Sequence, residues 1–332
     1  MRRMMLIGAV LAAVCAAPTA LPAAAFPGDT VDEIHWGYGE NPGEVVLHWR
    51  GAETVVHVGT TTGYGRQETA TAPAILPVDN PGPFREVRIT GLLPDTVYHY
   101  KIGAAGLDHT LRTRPSANFT WVDIGDTAAT LCKPWVGALH TQIAGLAPDV
   151  VTHGGDISEA NYCSAAGVHS FYNDQEVWST GAADHPVWGN HEYGLPLIPP
   201  AEPGTPRDSL ANYKGRHAVL HPQTVPNDTA SKTSHPGCPP PAGGSGNGCR
   251  GEDWGWFDVS GVRFISIPEP WPGALADWQT KANAIMSAAQ NDPAIDFIVS
   301  YGHRPAYSSQ ITNAAWPETK AAIDALGDLY SP

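Results

Sequence analysis

Positive charge is scarce in this sequence. Nineteen Lys and Arg stand against 33 Asp and Glu, a formal net charge of −14. That balance excludes a protein built to grip nucleic-acid backbones, which needs clustered cations. An anionic small substrate would therefore need a metal or a few local cations. Charged residues of both signs reach only 16%, and turn formers are abundant, with 35 Gly and 31 Pro. A hydrophobic fraction of 42% still describes a globular chain rather than a disordered one. Long apolar runs are missing after the first residues, so no later segment offers a membrane span.

The exception is the start, "MRRMMLIGAVLAAVCAAPTALPAAAFPGD". Two arginines, an apolar run and small residues ahead of Phe26 form the layout of a secretory signal peptide over residues 1–25, cleaved near Ala25. The expected destination is extracellular, with no membrane attachment after cleavage. Loss of the leader removes Cys15 and leaves Cys132, Cys163, Cys238 and Cys249. An even number in an exported chain implies disulfides. The favoured pairing is Cys238 with Cys249, closing "CPPPAGGSGNGC", and Cys132 with Cys163, both in loops after strand ends. No C-x-x-C spacing supports a thiolate zinc site.

From residue 28 to 114 the chain reads as short strands broken by turns: "EVVLHWR", "ETVVHVG", "REVRIT", "TVYHYKIG" and "HTLRTR". Val45, Leu47 and Trp49 alternate with Val46 and His48, as in a strand with one face inward. An antiparallel sandwich follows. His48, His57, His99 and His109 on these strands read as structural or solvated. After "RTRPSAN" strands alternate with helices. "FTWVDIGD" precedes Val136, Leu139, Ile143 and Leu146 at helical spacing, and "DVVTHGGD" follows, giving a β-α-β unit. "GWFDVSGVRFISI" and "DFIVSYGH" are later strands, separated by a helix carrying Leu275, Trp278, Ala282 and Ile285. Residues 194–252 show little periodicity and read as a rim or lid.

Four pieces sit at or near predicted strand ends, where open α/β sheets place their sites. They are "IGDTA" with Asp126, "GGDIS" with Asp156, "WGNHEYG" with Asn190 and His191, and "VSYGHRPAYS" with His303. Carboxylate, carboxamide and imidazole suit moderately hard ions, and two such ions can share one carboxylate. Gly154 and Gly155 would let the backbone turn sharply and aim Asp156 into a cleft. Trp254, Trp256, His217, His221, Arg304 and Tyr307 are candidates for the substrate side.

These motifs resemble those of calcineurin-like metallophosphoesterases from about residue 118 to the end. "LLPDTVYHYKIG" is similar to the tyrosine-corner region of fibronectin type III domains. Together the two parts resemble purple acid phosphatases. The resemblance implies two domains: a fibronectin-like sandwich over 28–114, then an α/β/β/α catalytic domain over 118–332. It implies two metal ions, iron with zinc, manganese or a second iron. Asp126 would serve the first, Asp156 would bridge, and Asn190 and His303 would hold the second, while His191 would contact the phosphate or protonate the leaving group. The substrate would be a small phosphate monoester. A phosphodiesterase or nucleotidase on the same core, or a degenerate secreted binding protein, are the alternatives. Glu159 stands where the family has a tyrosine, and Tyr162 lies three further on. No G-H-x-H occurs before Pro332, so the chain is expected to continue past it with that motif, and to bind metal poorly without it.

Overall fold

The computed structural model describes residues 30–77, 81–160, 166–192, 210–225, 251–269 and 274–304, with 320, 321, 323, 324, 327 and 329–331 near the end. The leader, Tyr162, Cys163, Cys238, Cys249 and Tyr307 lie outside the described residues. The front of the chain forms β1 (Asp32–Tyr38), β2 (Val45–Arg50), β3 (Val55–Gly59), β4 (Arg66–Thr69), β5 (Phe84–Ile89), β6 (Val97–Ile102) and β7 (His109–Arg112). Antiparallel pairing orders them as β5-β2-β1 and β4-β3-β6-β7. Ile34, Trp36 and Tyr38 from β1 and Val45, Leu47 and Trp49 from β2 share a core with Val56, Val58 and Tyr100.

Next come β8 (Trp121–Ile124), α1 (Val136–Gly145), β9 (Val150–His153), α2 (Ala166–Ser179), β10 (Ala183–Pro186) and α3 (Leu210–Lys214). They are followed by β11 (Trp256–Val259), β12 (Val262–Ile267), α4 (Ala274–Gln290), β13 (Phe297–Gly302) and β14 (Leu329–Ser331). Strands β8, β9 and β10 are parallel neighbours, as are β12, β13 and β14. The two sheets meet through aromatic rings: Trp121 lies edge-on to Phe264 at 5.3 Å, and His185 stacks on Phe257 at 4.2 Å. Ile143 of α1 and Trp178 of α2 pack with Val151 on one side. On the other side Leu275, Trp278, Ala282 and Met286 of α4 pack with Ile265, Ile267 and Ile298. The result is a mixed α/β arrangement. Among the described residues no helix is long and apolar enough to cross a membrane.

One connection was not visible in the pattern of strands. Strand β1 also pairs in parallel with β10, at Trp36 and Ala183, so a single six-stranded sheet runs β5-β2-β1-β10-β9-β8. Tyr38 N–H donates to His185 Nε2 at 3.2 Å, and Ser179 Oγ donates to Ile34 O at 2.8 Å. The same hydrophobic cluster holds Val45 and Phe264.

Strand β2 is buried on both faces, not on one. Val46 and His48 are as covered as Val45 and Leu47, because α2 and the segment after α3 lie over the outer face of β1 and β2. That interface is polar. Glu33 takes Arg216 Nε at 2.6 Å and lies 2.6 Å from His169 Nδ1, and Glu176 accepts the Ile34 N–H at 2.8 Å. The rings of His35 and His48 stack at 5.4 Å, with His217 and Tyr172 at 4.8 and 5.0 Å from His35. Helix α2 buries Val168, Phe171, Tyr172 and Trp178, but Asp174, Gln175 and Glu176 are buried between them and break up its apolar face. Helix α2 and the tetrapeptide β10, ADHP, therefore escape a reading based on hydrophobic period.

This layer fixes a pH dependence. Burial lowers the His35 pKa from 6.5 to about 4, opposed by the carbonyl oxygens of Arg216 and Glu33, and it drives His48 and His217 well down. Below 6.5 the unfolded chain takes up protons that the folded one refuses, so the histidines withdraw stability as pH falls toward 4. Buried Asp184 and half-buried Glu252, raised to about 7, act in the opposite sense. A single substitution isolates the effect. Replacing His35 with Gln should shrink the loss of unfolding free energy between pH 7 and 5 by about 2 kcal/mol, read from urea titrations at both pH values.

Candidate metal centre

Four strand ends converge on one edge of the facing sheets. Asp126 follows β8, Asp156 follows β9, Asn190 and His191 follow β10, and His303 follows β13. The loops after β8 and β9 run side by side. The N–H groups of Asp126, Ala128 and Ala129 donate to the carbonyls of Gly155, Ile157 and Ser158 at 3.1, 2.9 and 3.1 Å. Asp126, Asp156 and Glu159 adopt left-handed φ values of 49°, 50° and 52°. Side-chain-bearing residues rarely do so, and they hold it only where neighbouring contacts enforce it.

The two glycines before Asp156 differ in what they do. Gly155 takes a φ of 107°, and a Cβ there would stand 2.7 Å from Gly189 N. In turn a Cβ on Gly189 would stand 2.3 Å from Asp156 Oδ1. The ends of β9 and β10 thus approach at van der Waals contact, with the Asp156 carboxylate in the space a side chain would fill.

Around that carboxylate the donors gather. Asp156 Oδ1 accepts the His191 N–H at 2.9 Å, while Oδ2 lies 3.2 Å from His303 Nε2 and 3.4 Å from His191 Nε2. Asn190 Oδ1 is 2.9 Å from His303 Nε2. Glu159 Oε2 lies 2.7 Å from His191 Nδ1, yet makes no hydrogen bond of good geometry. Two groups of potential ligand atoms result, each within 4.8 Å: Asp126, Asp156 and His303, and Asp156, Glu159 and His191. Asp156 belongs to both. Asp126, Asp156, Asn190, His191 and His303 are all brought together, and Glu159 joins them. His303 falls in one group with Asp126, and His191 sits among carboxylates rather than apart from them.

The electrostatics match a site short of positive charge. Burial raises the pKa of Asp126, and the neighbouring charges of Asp156 and Glu159 push it further, against His303 and His191. Asp156 is lowered even though burial opposes this, because His303 and His191 favour its ionised form. His303 is raised against its own burial by its contact with Asp156. Oxygen and imidazole donors with no thiolate fit hard or borderline divalent and trivalent ions, and repulsion among three carboxylates is what a bound cation relieves.

Other candidates lie elsewhere. Trp254 belongs to the α4-side core with Trp278, and His217 to the buried layer over β1 and β2. His221 stacks on Trp256 at 3.9 Å. Arg304 does reach the site, donating from Nη2 to Asn190 Oδ1 at 2.6 Å.

The residue that the motif reading leaves without a role is Glu192, fully buried. Its carboxylate accepts the N–H groups of Asp156, Ile157 and Gly189, each at 2.8 Å. One side chain therefore ties the Asp156 loop to the Asn190 loop. Its place directly after "GNH" was the available signal. Charge-assisted bonds contribute about 1.5–3 kcal/mol each, and orphaned buried donors cost more. Glu192→Ala should therefore lower unfolding free energy by about 3 kcal/mol or more in urea titrations, with Glu192→Gln recovering only part.

No family model and no curated protein matches this sequence. Solved structures do. The purple acid phosphatase PPD1 from yellow lupin (Lupinus luteus) seeds superposes with a TM-score of 0.58 at 15% identity, over 86% of this chain and 53% of that one. A structure of PhoD gives 0.49 at 13% identity, over 82% of this chain and 62% of that one. The chain thus spans about half the length of the lupin protein, and what it shares with it at that identity is the fold.

Proposed function

We propose that this chain is an exported metal-dependent phosphoesterase that hydrolyses small phosphate monoesters at a two-ion centre. The observation that carries the reading is Asp156, the one carboxylate common to both groups of converging donors. In this reading Asp126, Asp156, Asn190 and His303 hold the ions, with Asp156 shared, and Glu159 stands ready beside them. Residues 1–25 are the leader, 28–114 a fibronectin type III-like sandwich and 118–332 the catalytic unit. Cys132 pairs with Cys163, and Cys238 with Cys249.

Bound there, two ions of iron, zinc or manganese would neutralise phosphate charge and lower the pKa of an attacking water. The chain's own groups do the rest. His191 lies between Glu159, whose Oε2 is 2.7 Å from its Nδ1, and Asp156, whose Oδ2 is 3.4 Å from its Nε2, a place from which the ring would deliver a proton to the leaving oxygen. Asp156 and Asn190 are held rigidly by the backbone contacts of their loops, so their donor atoms need little reorganisation when a ligand arrives.

Metal content and turnover test this together. Asp156→Ala should lose both ions, and Asn190→Ala should chiefly weaken one, as read by elemental analysis after dialysis against Zn²⁺ or Mn²⁺. Turnover of p-nitrophenyl phosphate is expected of a form that holds both ions. Preference for bis(p-nitrophenyl) phosphate would favour a diesterase or nucleotidase. Equal loss of both ions in the two variants would remove the bridging role of Asp156, and metal without any turnover would favour a binding protein. With Glu159 in the tyrosine's place, an iron-loaded form should lack an intense tyrosinate-to-iron band in the visible spectrum.

A further inference from the structure

Arg304 and Glu269 form a pair that no step above uses. Glu269 follows β12 and is buried, and its Oε1 accepts Arg304 Nε at 2.9 Å and Nη2 at 2.6 Å. The same Nη2 donates to Asn190 Oδ1 at 2.6 Å. Three strand ends are thereby joined across the two sheets, after β12, β13 and β10.

The chemistry of the contact is directional. A carboxamide offers an oxygen on one side and an NH₂ on the other, and only the oxygen can bind a cation. A guanidinium donates and cannot accept. Arg304 therefore fixes which way the Asn190 amide faces, and the oxygen it selects is the one 2.9 Å from His303 Nε2. A lone guanidinium so near an ion site would repel the ion. Glu269 answers that with an opposite charge on the far side, so the pair orients without adding net charge. Burial raises the Glu269 pKa, and Arg304 opposes this.

We propose that the Glu269–Arg304 pair is a positioning device that holds the Asn190 amide with Oδ1 toward the ion shared with His303. This rests on the proposed role of Asn190 and His303 as ligands. It differs from that role in what it predicts, since the pair touches neither substrate nor ion.

The test uses Asn190→Asp. A carboxylate presents oxygen on both sides, so its orientation no longer needs to be selected. Isothermal titration of Mn²⁺ alone into the protein and its variants gives the affinity of the event lost in Asn190→Ala. Loss of a group that orients a ligand typically costs ~10–100-fold in metal affinity. Arg304→Met should therefore weaken that event by ~10–100-fold in the native background and by less than about 3-fold, or not at all, in the Asn190→Asp background. Thermal unfolding of each variant without metal establishes that it is folded. Arg304→Lys should rescue only partly, because an ammonium cannot hold Glu269 and Asn190 in one plane. Equal weakening in both backgrounds would mean a merely structural role and overturn the inference, as would unchanged affinity in Arg304→Met while Asn190→Ala still loses the ion. If the native chain binds no Mn²⁺, the metal reading falls and this inference falls with it.

Discussion

The contact between the backbones of Gly155 and Gly189 sets the distance on which the candidate centre depends. Because neither residue carries a side chain, the ends of β9 and β10 meet closely enough for Asp156 to lie against Gly189. From there its carboxylate reaches imidazoles from two different strand ends, one of them on the opposite sheet. Such proximity crowds carboxylates and forces side-chain-bearing residues into left-handed backbone. Glu192 offsets that strain from beneath, gathering three backbone donors that a crowded turn would otherwise leave buried and unmet.

What the sequence made legible follows from the kind of signal each element carries. Strands β3, β6 and β7 alternate, and α4 repeats its apolar residues every three or four positions, so their cores announce themselves. Leu146 shows the limit: it continues the spacing of α1 but caps the helix and is 54% exposed. The candidate ligands were readable because each follows a strand in a short pattern with its own glycine. Glu159 was read only as a departure, and its place in the cluster comes from a loop turn that spacing does not encode. Among the elements that escaped, β1, α2 and β10 bury acids and histidines. Their hydrogen bonds lie in other segments more than a hundred residues away, and no local period reports a partner at that distance.

The polar layer over β1 and β2 and the candidate centre use similar residue types to opposite ends. In the layer, Glu33 is pulled down to about 2 despite its burial by Arg216 and His169, and His35 stays neutral because burial outweighs its neighbours. Glu33 there has its opposite charges within the chain. At the centre three carboxylates face two imidazoles, with Lys133 Nζ 3.5 Å from Glu159, and these groups together remain acidic. That contrast, more than the presence of histidine or aspartate, separates a structural cluster from one prepared for a ligand.

The pairing of β1 with β10 bears on how the front sandwich can be handled. A part joined only by a linker can be cut out, shuffled between genes or expressed alone. Here a fragment ending near residue 116 would carry an open edge on β1 and the uncovered outer faces of β1 and β2, with Glu33, His35 and His48 turned to water and Ile34 N–H left without Glu176. Glu176, Ser179, His185 and Arg216 hold the front sheet alongside its own neighbouring strands, so its native form draws on both halves of the chain.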